Sequence, residues 1–551
     1  MQASSLLRFL YNHNPFYAIS TCFVLYGLLA AFAGREMNSE TTWLLARMLT
    51  GYALLLAVTA YLVVKLGHVW EDARSLVLLV LLLFFAMSVG FDFTCVTLPE
   101  TAWQVLLAGF GFAVAVTEGL LLGLRLKFPV YFRAPYYACL GLMFFYPLYV
   151  AEAARDLATE TTVWRIYGFA VLSGVVTLLL IPAATRGAEY VRANGTPWSW
   201  PWYPWPAFVF LGLGLGIRIY ALNLSFVPID DWKHAFGWYF LTPLLFAWWC
   251  VLLVIGLAGQ KKELVATLLW SAPLLLLTAI PGEGYWHDRF LYQFTAAIGA
   301  PLWLTLWGLT ALYFLAWFGG IRGAEWGIIG SLLAVCGVDR TSGLVLEPIS
   351  PLPLLVLGVM QLILFAARCN SARCLLGMTC LLGAGVLISR ETAWQLPVVV
   401  IAAHAWLAVA LLLGALFDDE LSRGVRWFSA LLLAAGGILM LAGSYPPQLP
   451  NWLPTAYTVM LAAIAFAYGR GMREPSHLAA GGLNVICSVA ILSRTGLASL
   501  LNILGPEATL ALGCGGGCFA IATIISAVKG GAWTRLWVAW WYRDATPPGI
   551  S

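Results

Sequence analysis

An all-α, many-times-spanning membrane protein is the fold class that this 551-residue chain predicts, on three observations. Continuous apolar stretches of about 20 residues, the length needed to cross a hydrocarbon core about 30 Å thick, recur from Phe16 to Val528. They are unbroken rather than alternating, which suits helices and not the strands of a barrel. The composition, 61% hydrophobic and 10% charged, leaves too little polar material to coat a soluble globule, whose charged share is about 25%.

About 18 spans are expected, starting near residues 16, 43, 75, 103, 134, 163, 207, 236, 263, 292, 323, 350, 371, 396, 424, 454, 477 and 509. Those near 323, 371 and 477 are the shortest. Short loops rich in Lys and Arg stay cytoplasmic. With the N-terminus inside, twenty of the 30 Lys and Arg residues fall on the inner side and eight on the outer, while Arg47 and Arg218 fall within spans. Both termini are therefore expected in the cytoplasm, and the location is expected to be the cell membrane, as a bacterial inner-membrane protein. The first fifteen residues carry no cleavable signal pattern, so the first span is expected to serve as the insertion signal. The net charge of +4 follows from the loop bias and gives no reason to expect nucleic acid as a partner.

Four segments are expected: a six-helix part over 1–195, a linker over 196–206, a second membrane part of about twelve helices over 207–528, and an interfacial tail over 529–551. In the linker, from Thr196 to Pro206, four Trp interleave with four Pro. Proline forbids helix there and indoles prefer the headgroup layer, so the segment is expected along the inner membrane surface. In the tail, Trp533, Trp537, Trp540 and Trp541 share one face with Arg535 and Arg543 between them, as in a helix lying flat on an anionic leaflet.

A short motif opens alternate helices at their outer ends: Glu40-Thr41-Thr42-Trp43, Glu100-Thr101-Ala102-Trp103 and Glu160-Thr161-Thr162-Val163-Trp164, sixty residues apart. It returns at Glu391-Thr392-Ala393-Trp394 and, reduced, at Glu507-Ala508-Thr509. Either each helix needs a capping oxygen, a carboxylate against its dipole and an interfacial indole, or a two-helix unit has been duplicated. Gly513 and Gly517 beside Cys514 and Cys518 point to close helix packing rather than to a metal site. Most cysteines lie in apolar stretches, where a thiol behaves as a small hydrophobe, and no disulfide framework is expected. No metal or cofactor is expected either.

Ionisable side chains inside spans are costly and are functional candidates by default. They are Arg47, Asp92, Glu118, Arg218 and His404. At 1.5 Å per residue Arg47 and Asp92 fall at matching depth, which predicts an ion pair between them or simple snorkelling, and Glu118 and Arg218 fall within reach of an extended Arg. Arg218 follows Gly212, Gly214 and Gly216, where the backbone can approach a neighbour closely or break. His404 sits in an apolar helix, as a proton relay would or as a hydrogen-bonded structural residue would.

Two outer loops hold the densest polar chemistry: Pro228 to His234, with Asp230, Asp231 and His234, and Gly282 to Arg289, with Glu283, His287 and Asp288. Paired carboxylates beside His and Arg suit a divalent cation holding a diphosphate, or acid and base work. Arg218-Ile219-Tyr220-Ala221-Leu222 followed by Asp230-Asp231 resembles the start of the lipid-linked glycosyltransferases of the multi-spanning class. In that class an acidic pair in an early outer loop helps to bind metal and sugar donor. Here the stretch follows the seventh expected span rather than the first.

The leading functional expectation is a carrier for a small or amphipathic solute, with Glu118, Arg218 and His404 lining its path. A second is a transferase acting on a lipid-linked substrate at the outer face through Asp230, Asp231, His234, His287 and Asp288. A third is a lipid-organising scaffold, which predicts no continuous cavity. The residues leave open whether the chain is an enzyme. The expected partners are the lipid bilayer and a small-molecule or lipid-linked substrate.

Overall fold

A computed structural model describes residues 15–32, 37–227, 235–282, 284–341, 350–389, 395–443, 450 and 452–504, with Cys518 and Ala522. Every regular element in them is helical, and 14 helices among the described residues are long and apolar enough to cross a membrane. The chain is an all-α polytopic bundle and a multi-pass membrane protein. It separates into two compact units, Met1–Leu357 and Gly358–Ser551.

The first unit holds α1 (Phe16–Phe32), α2 (Ser39–Gly67), α3 (Trp70–Gly90), the short α4 (Asp92–Thr97), α5 (Pro99–Gly123), α6 (Val130–Arg155), α7 (Thr159–Leu178), α8 (Ile181–Arg186), α9 (Trp205–Phe226), α10 (Thr242–Ala258), α11 (Lys262–Ser271), α12 (Tyr285–Ala297), α13 (Pro301–Phe318) and α14 (Ala324–Cys336). Helix α15 (Pro351–Arg368) crosses the unit boundary. The second unit continues with α16 (Ser371–Ile388), α17 (Gln395–Leu416), α18 (Glu420–Leu441), α19 (Leu453–Met472) and α20 (Pro475–Leu504).

The recurring Glu-Thr motif marks helix starts in one register. Glu40, Glu100 and Glu160 each take the second position of α2, α5 and α7, where a carboxylate meets the positive end of the helix dipole. Thr42 and Thr162 donate their hydroxyls to the carbonyls of Asn38 (2.8 Å) and Ala158 (3.0 Å). Asn38 caps α2 through a reciprocal box: its Oδ1 accepts the Thr41 N–H and the Thr41 Oγ1 accepts the Asn38 N–H, both at 2.9 Å. The copies at Glu391 and Glu507 lie outside the described residues, as do the span expected near 509 and the tail.

One expected span divides. In place of a crossing starting near 292 stand the amphipathic α12 and the apolar α13. Gly299, at φ 129°, and Pro301 at the start of α13 part them, because a positive φ and a missing N–H both stop helix propagation. In α12 the buried residues His287, Phe290 and Phe294 recur at three and four, so one face packs inward while Tyr285 and Tyr292 stay exposed.

The Trp/Pro segment is not helical over residues 196–204, its last two residues, Trp205 and Pro206, open α9, and it fastens several neighbouring segments together. Asn194 folds it back, its Oδ1 accepting from the Thr196 N–H (2.7 Å) while its Nδ2 donates to the Trp198 carbonyl (2.9 Å). Trp198 packs edge-on against Trp70 and under the Arg74 guanidinium, and Trp200 lies beneath the Lys261 ammonium. Tyr203 donates to the Lys127 carbonyl at 2.9 Å. Arg74 in the first turns of α3 and the loops carrying Lys127 and Lys261 thus meet on this segment, and the first unit has a basic end. A single apolar core runs from Leu28 to Phe294, so helices before and after the segment share it.

Candidate functional site

The ionisable residues predicted within spans take partners other than those depth alone suggests. Arg218 is fully buried and forks onto Asp92, with Nη1 to Oδ2 and Nη2 to Oδ1 each 2.6 Å, and Nη2 also donates to the Ser88 carbonyl at 3.1 Å. Asp92 is available because α3 stops at Gly90 and α4 restarts at Asp92, which carries the carboxylate in toward α9. Arg47 is exposed. Glu118 instead joins α5 to α6, accepting from the Tyr137 hydroxyl at 2.5 Å and standing 3.5 Å from Arg133 Nε. His404 belongs to the second unit, where its Nδ1 lies 2.7 Å from the Val400 carbonyl and its Nε2 2.8 Å from the Tyr457 hydroxyl. Within the first unit, Glu118 and Arg218 have different ion-pair partners.

Of the outer-loop candidates, Asp230, Asp231, His234 and Glu283 lie outside the described residues. His287 is fully buried, whereas Asp288 beside it is exposed. The imidazole Nε2 accepts the Gly282 N–H at 3.2 Å, so Nδ1 carries the proton in the neutral ring, 3.3 Å from Asp288 Oδ1. A Cβ at Gly237 would stand 2.7 Å from that Nε2, so glycine is required for the Phe236–Gly237 backbone to pass over the ring. Helix α12 is held against the N-terminal end of α7, where Glu160 accepts from Gln293 (2.7 Å) and pairs with Arg289.

A groove of about 1200 Å³ lies between α9 and α10. Both helices pack closely on α7 and meet each other only through side chains such as Trp248 and Leu244, which leaves the gap. The three glycines of α9 divide between its faces. The helix is continuous through all of them. A Cβ at Gly214 would meet Met143 (3.2 Å) on the packed side. At Gly212 it would stand 2.4 Å from Trp248 Nε1, so the indole lies flat against bare backbone, and at Gly216 it would be 3.7 Å from Leu244.

The groove follows α9 from Val209 to Leu224, about 22 Å at 1.5 Å per residue. Its lip is open to the bilayer, with Leu213 62% and Ile217 56% exposed. Phe236, Trp238, Pro281 and Gly282 close its far end, opposite the basic one. His287 stands behind that roof and fixes it through Gly282. Among the described lining residues the only ionisable group is the Tyr220 phenol, and the polar remainder are Asn223 and two indoles. Among the described lining residues there is no Asp, Glu, His, Lys, Arg or Cys.

Asn223 was not singled out from sequence, although a lone Asn in an apolar helix was the available signal. Its Nδ2 donates to the Ile219 carbonyl at 3.0 Å, and its Oδ1, buried, has no hydrogen-bond partner. A second buried cluster went unread as well: Arg426 of α18, 8% exposed, donates to Asp418 (2.7 Å), Glu474 (3.1 Å) and the Phe417 carbonyl (3.1 Å). It ties the ends of three helices and is structural.

No protein-family model matches the chain, and neither a curated protein nor a solved structure is significantly similar to it.

Proposed function

We propose that the protein is a carrier for an amphipathic solute dissolved in the membrane, which enters the α9–α10 groove sideways from the bilayer. The observation that supports this is the groove itself: apolar, about 1200 Å³, and open along its lip. The volume lies just above the range of about 300–1,000 Å³ usual for small-molecule pockets, and apolar walls with a few placed polar groups are their usual chemistry. A purely scaffolding role gives no reason for such a space. In this proposal the protein sits in a bacterial inner membrane with both termini and the Lys/Arg-rich loops in the cytoplasm, and the roofed end faces outward.

The test is binding of a fluorescent single-chain amphiphile to the full-length protein in nanodiscs, followed by its transbilayer movement in proteoliposomes. Gly216→Leu fills the groove where a Cβ meets only ordinary contacts. Wild type is expected to bind saturably and to speed movement, and Gly216→Leu to lose both with its thermal stability kept. Absence of saturable binding by wild type overturns the proposal; binding without movement makes the protein a receptor or an enzyme rather than a carrier.

A transferase acting on a lipid-linked substrate would use the same groove, and the placement of His287 behind its roof favours that second reading. It predicts turnover of a lipid-linked sugar that Asp230→Asn and Asp231→Asn abolish.

A further inference from the structure

The chemical class of the bound molecule follows from what lines the groove, and rests on the groove being a binding site at all. We infer that the occupant is a neutral lipid whose polar end donates a hydrogen bond, a long-chain alcohol or its N–H equivalent, rather than an anionic phospholipid or a donorless ester or ether.

Asn223 carries the argument. Its side chain is 4% exposed, lines the groove, and has its acceptor oxygen unpaired. Which atom is the oxygen is fixed by the Ile219 carbonyl: the group 3.0 Å from that acceptor must be the amide nitrogen. A buried acceptor without a partner is costly and rare in proteins, and a ligand that supplies a donor removes the cost. The depth also fits. Asn223 lies three residues before the end of α9, about 4–5 Å below it, so a polar end there leaves the rest of the groove for a tail running back toward Val209.

Charge excludes the alternatives. No Lys, Arg or His is among the described lining residues, so that lining offers a phosphate no cation, and the phosphate would bring a further acceptor against the Asn223 oxygen. The buried Arg218 is on the same helix but is taken by Asp92 and Ser88 and does not line the groove. An ether or full ester of the same length fills the apolar walls equally well and leaves Asn223 unpaired.

The experiment uses the full-length protein in nanodiscs and one photoactivatable long-chain alcohol, with three competitors of equal chain length: the unlabelled alcohol, its methyl ether and its monophosphate. An amide of the same length reports whether an N–H serves as well as an O–H. Crosslinks are expected in the segments 205–226 and 235–258, and the alcohol should compete about five- to tenfold better than the ether, the discrimination worth one hydrogen bond. Asn223→Leu, which removes the unpaired acceptor, should equalise alcohol and ether while labelling persists. Equal competition by alcohol and ether in wild type overturns the inference and leaves the groove as a binding site. Preference for the monophosphate also overturns it. No labelling of either segment by any probe removes the proposed function itself, so the two failures are distinct.

Discussion

Replacing Asp92 leaves the fully buried guanidinium of Arg218 with a single carbonyl in place of a carboxylate. The pair is desolvated on both sides, at 0% and 3% side-chain exposure, and its two 2.6 Å bonds are joined by the 3.1 Å bond to Ser88. Each hydrogen bond to a charged group contributes about 1.5–3 kcal/mol, yet burying each ion costs several kcal/mol, so the net worth of the intact pair is near zero. Breaking it is another matter. Asp92→Leu or Arg218→Met alone strands a charge, and each should cost about 3–5 kcal/mol. The double variant strands nothing. If the two effects were independent it would lose about 6–10 kcal/mol; because each charge is the other's only ionic partner among the described residues it should fall within about 2 kcal/mol of wild type, on either side. Unfolding by added SDS in mixed micelles, followed by tryptophan fluorescence, gives all four corners of the cycle. Additive losses would refute the pairing. The same double variant also tests Arg218 as a substrate ligand, since a structural Arg218 leaves amphiphile binding intact and a ligating one does not.

Glycine usage along α9 predicts opposite responses at two neighbouring positions. Gly212→Ala drives its methyl into Trp248 and should cost about 1–3 kcal/mol, relieved by Trp248→Ala, whereas Gly216→Ala should be neutral or stabilise by up to about 1 kcal/mol; thermal unfolding in one detergent separates them. Removing Glu160 frees Arg289 and Gln293 together, so Glu160→Ala should raise hydrogen exchange across 285–297 several-fold, with α13 unaffected. Asp419 caps α18 by accepting the Ser422 N–H at 2.8 Å and bonds Ser371, and these bonds hold its carboxyl below the ordinary carboxylate value. A depressed folded-state pKa stabilises above the unfolded value and is lost as pH falls through the folded one. Asp419→Ala should therefore cost about 1 kcal/mol at pH 7, with the gap to wild type closing below about pH 4.

What the sequence made legible is what depends on distance along the chain. Span lengths, the all-helical class and the register of Glu40, Glu100 and Glu160 at their helix starts all follow from local spacing. Contacts between helices do not. Helical rise places Asp92 and Arg47 at one depth, but it says nothing of which way each side chain turns about its helix axis, and the break at Gly90-Phe91 swings Asp92 toward a residue 126 positions away. Depth likewise puts Glu118 within reach of Arg218, whereas its partners, Arg133 and Tyr137, lie across its own hairpin. The small residues of α9 signalled close approach, and Gly212 delivers it. That the adjoining face stays without a helix partner depends on α9 and α10 both choosing α7, which no spacing within α9 encodes.

The ion pair and the groove are connected through the geometry of one helix. Phe208, Leu211, Leu215, Arg218, Leu222 and Phe226 form the buried stripe of α9, while Leu213, Ile217, Tyr220 and Leu224 form its exposed one. A membrane helix gains little from hydrophobic burial, because lipid is as apolar as its neighbours, so a helix left open on one side must be located by packing and polar bonds on the other. Arg218 does this for α9: three hydrogen bonds from one residue fasten it to α3 and α4 without using any of the groove face. An α9 held instead by a partner helix on the Gly216 side would have no cavity. The pairing of Arg218 with Asp92 is on this argument what allows the groove to remain open when empty. Variants that strand either charge should lose the bound amphiphile as the helix shifts, whereas the double apolar variant, which restores packing, should keep it.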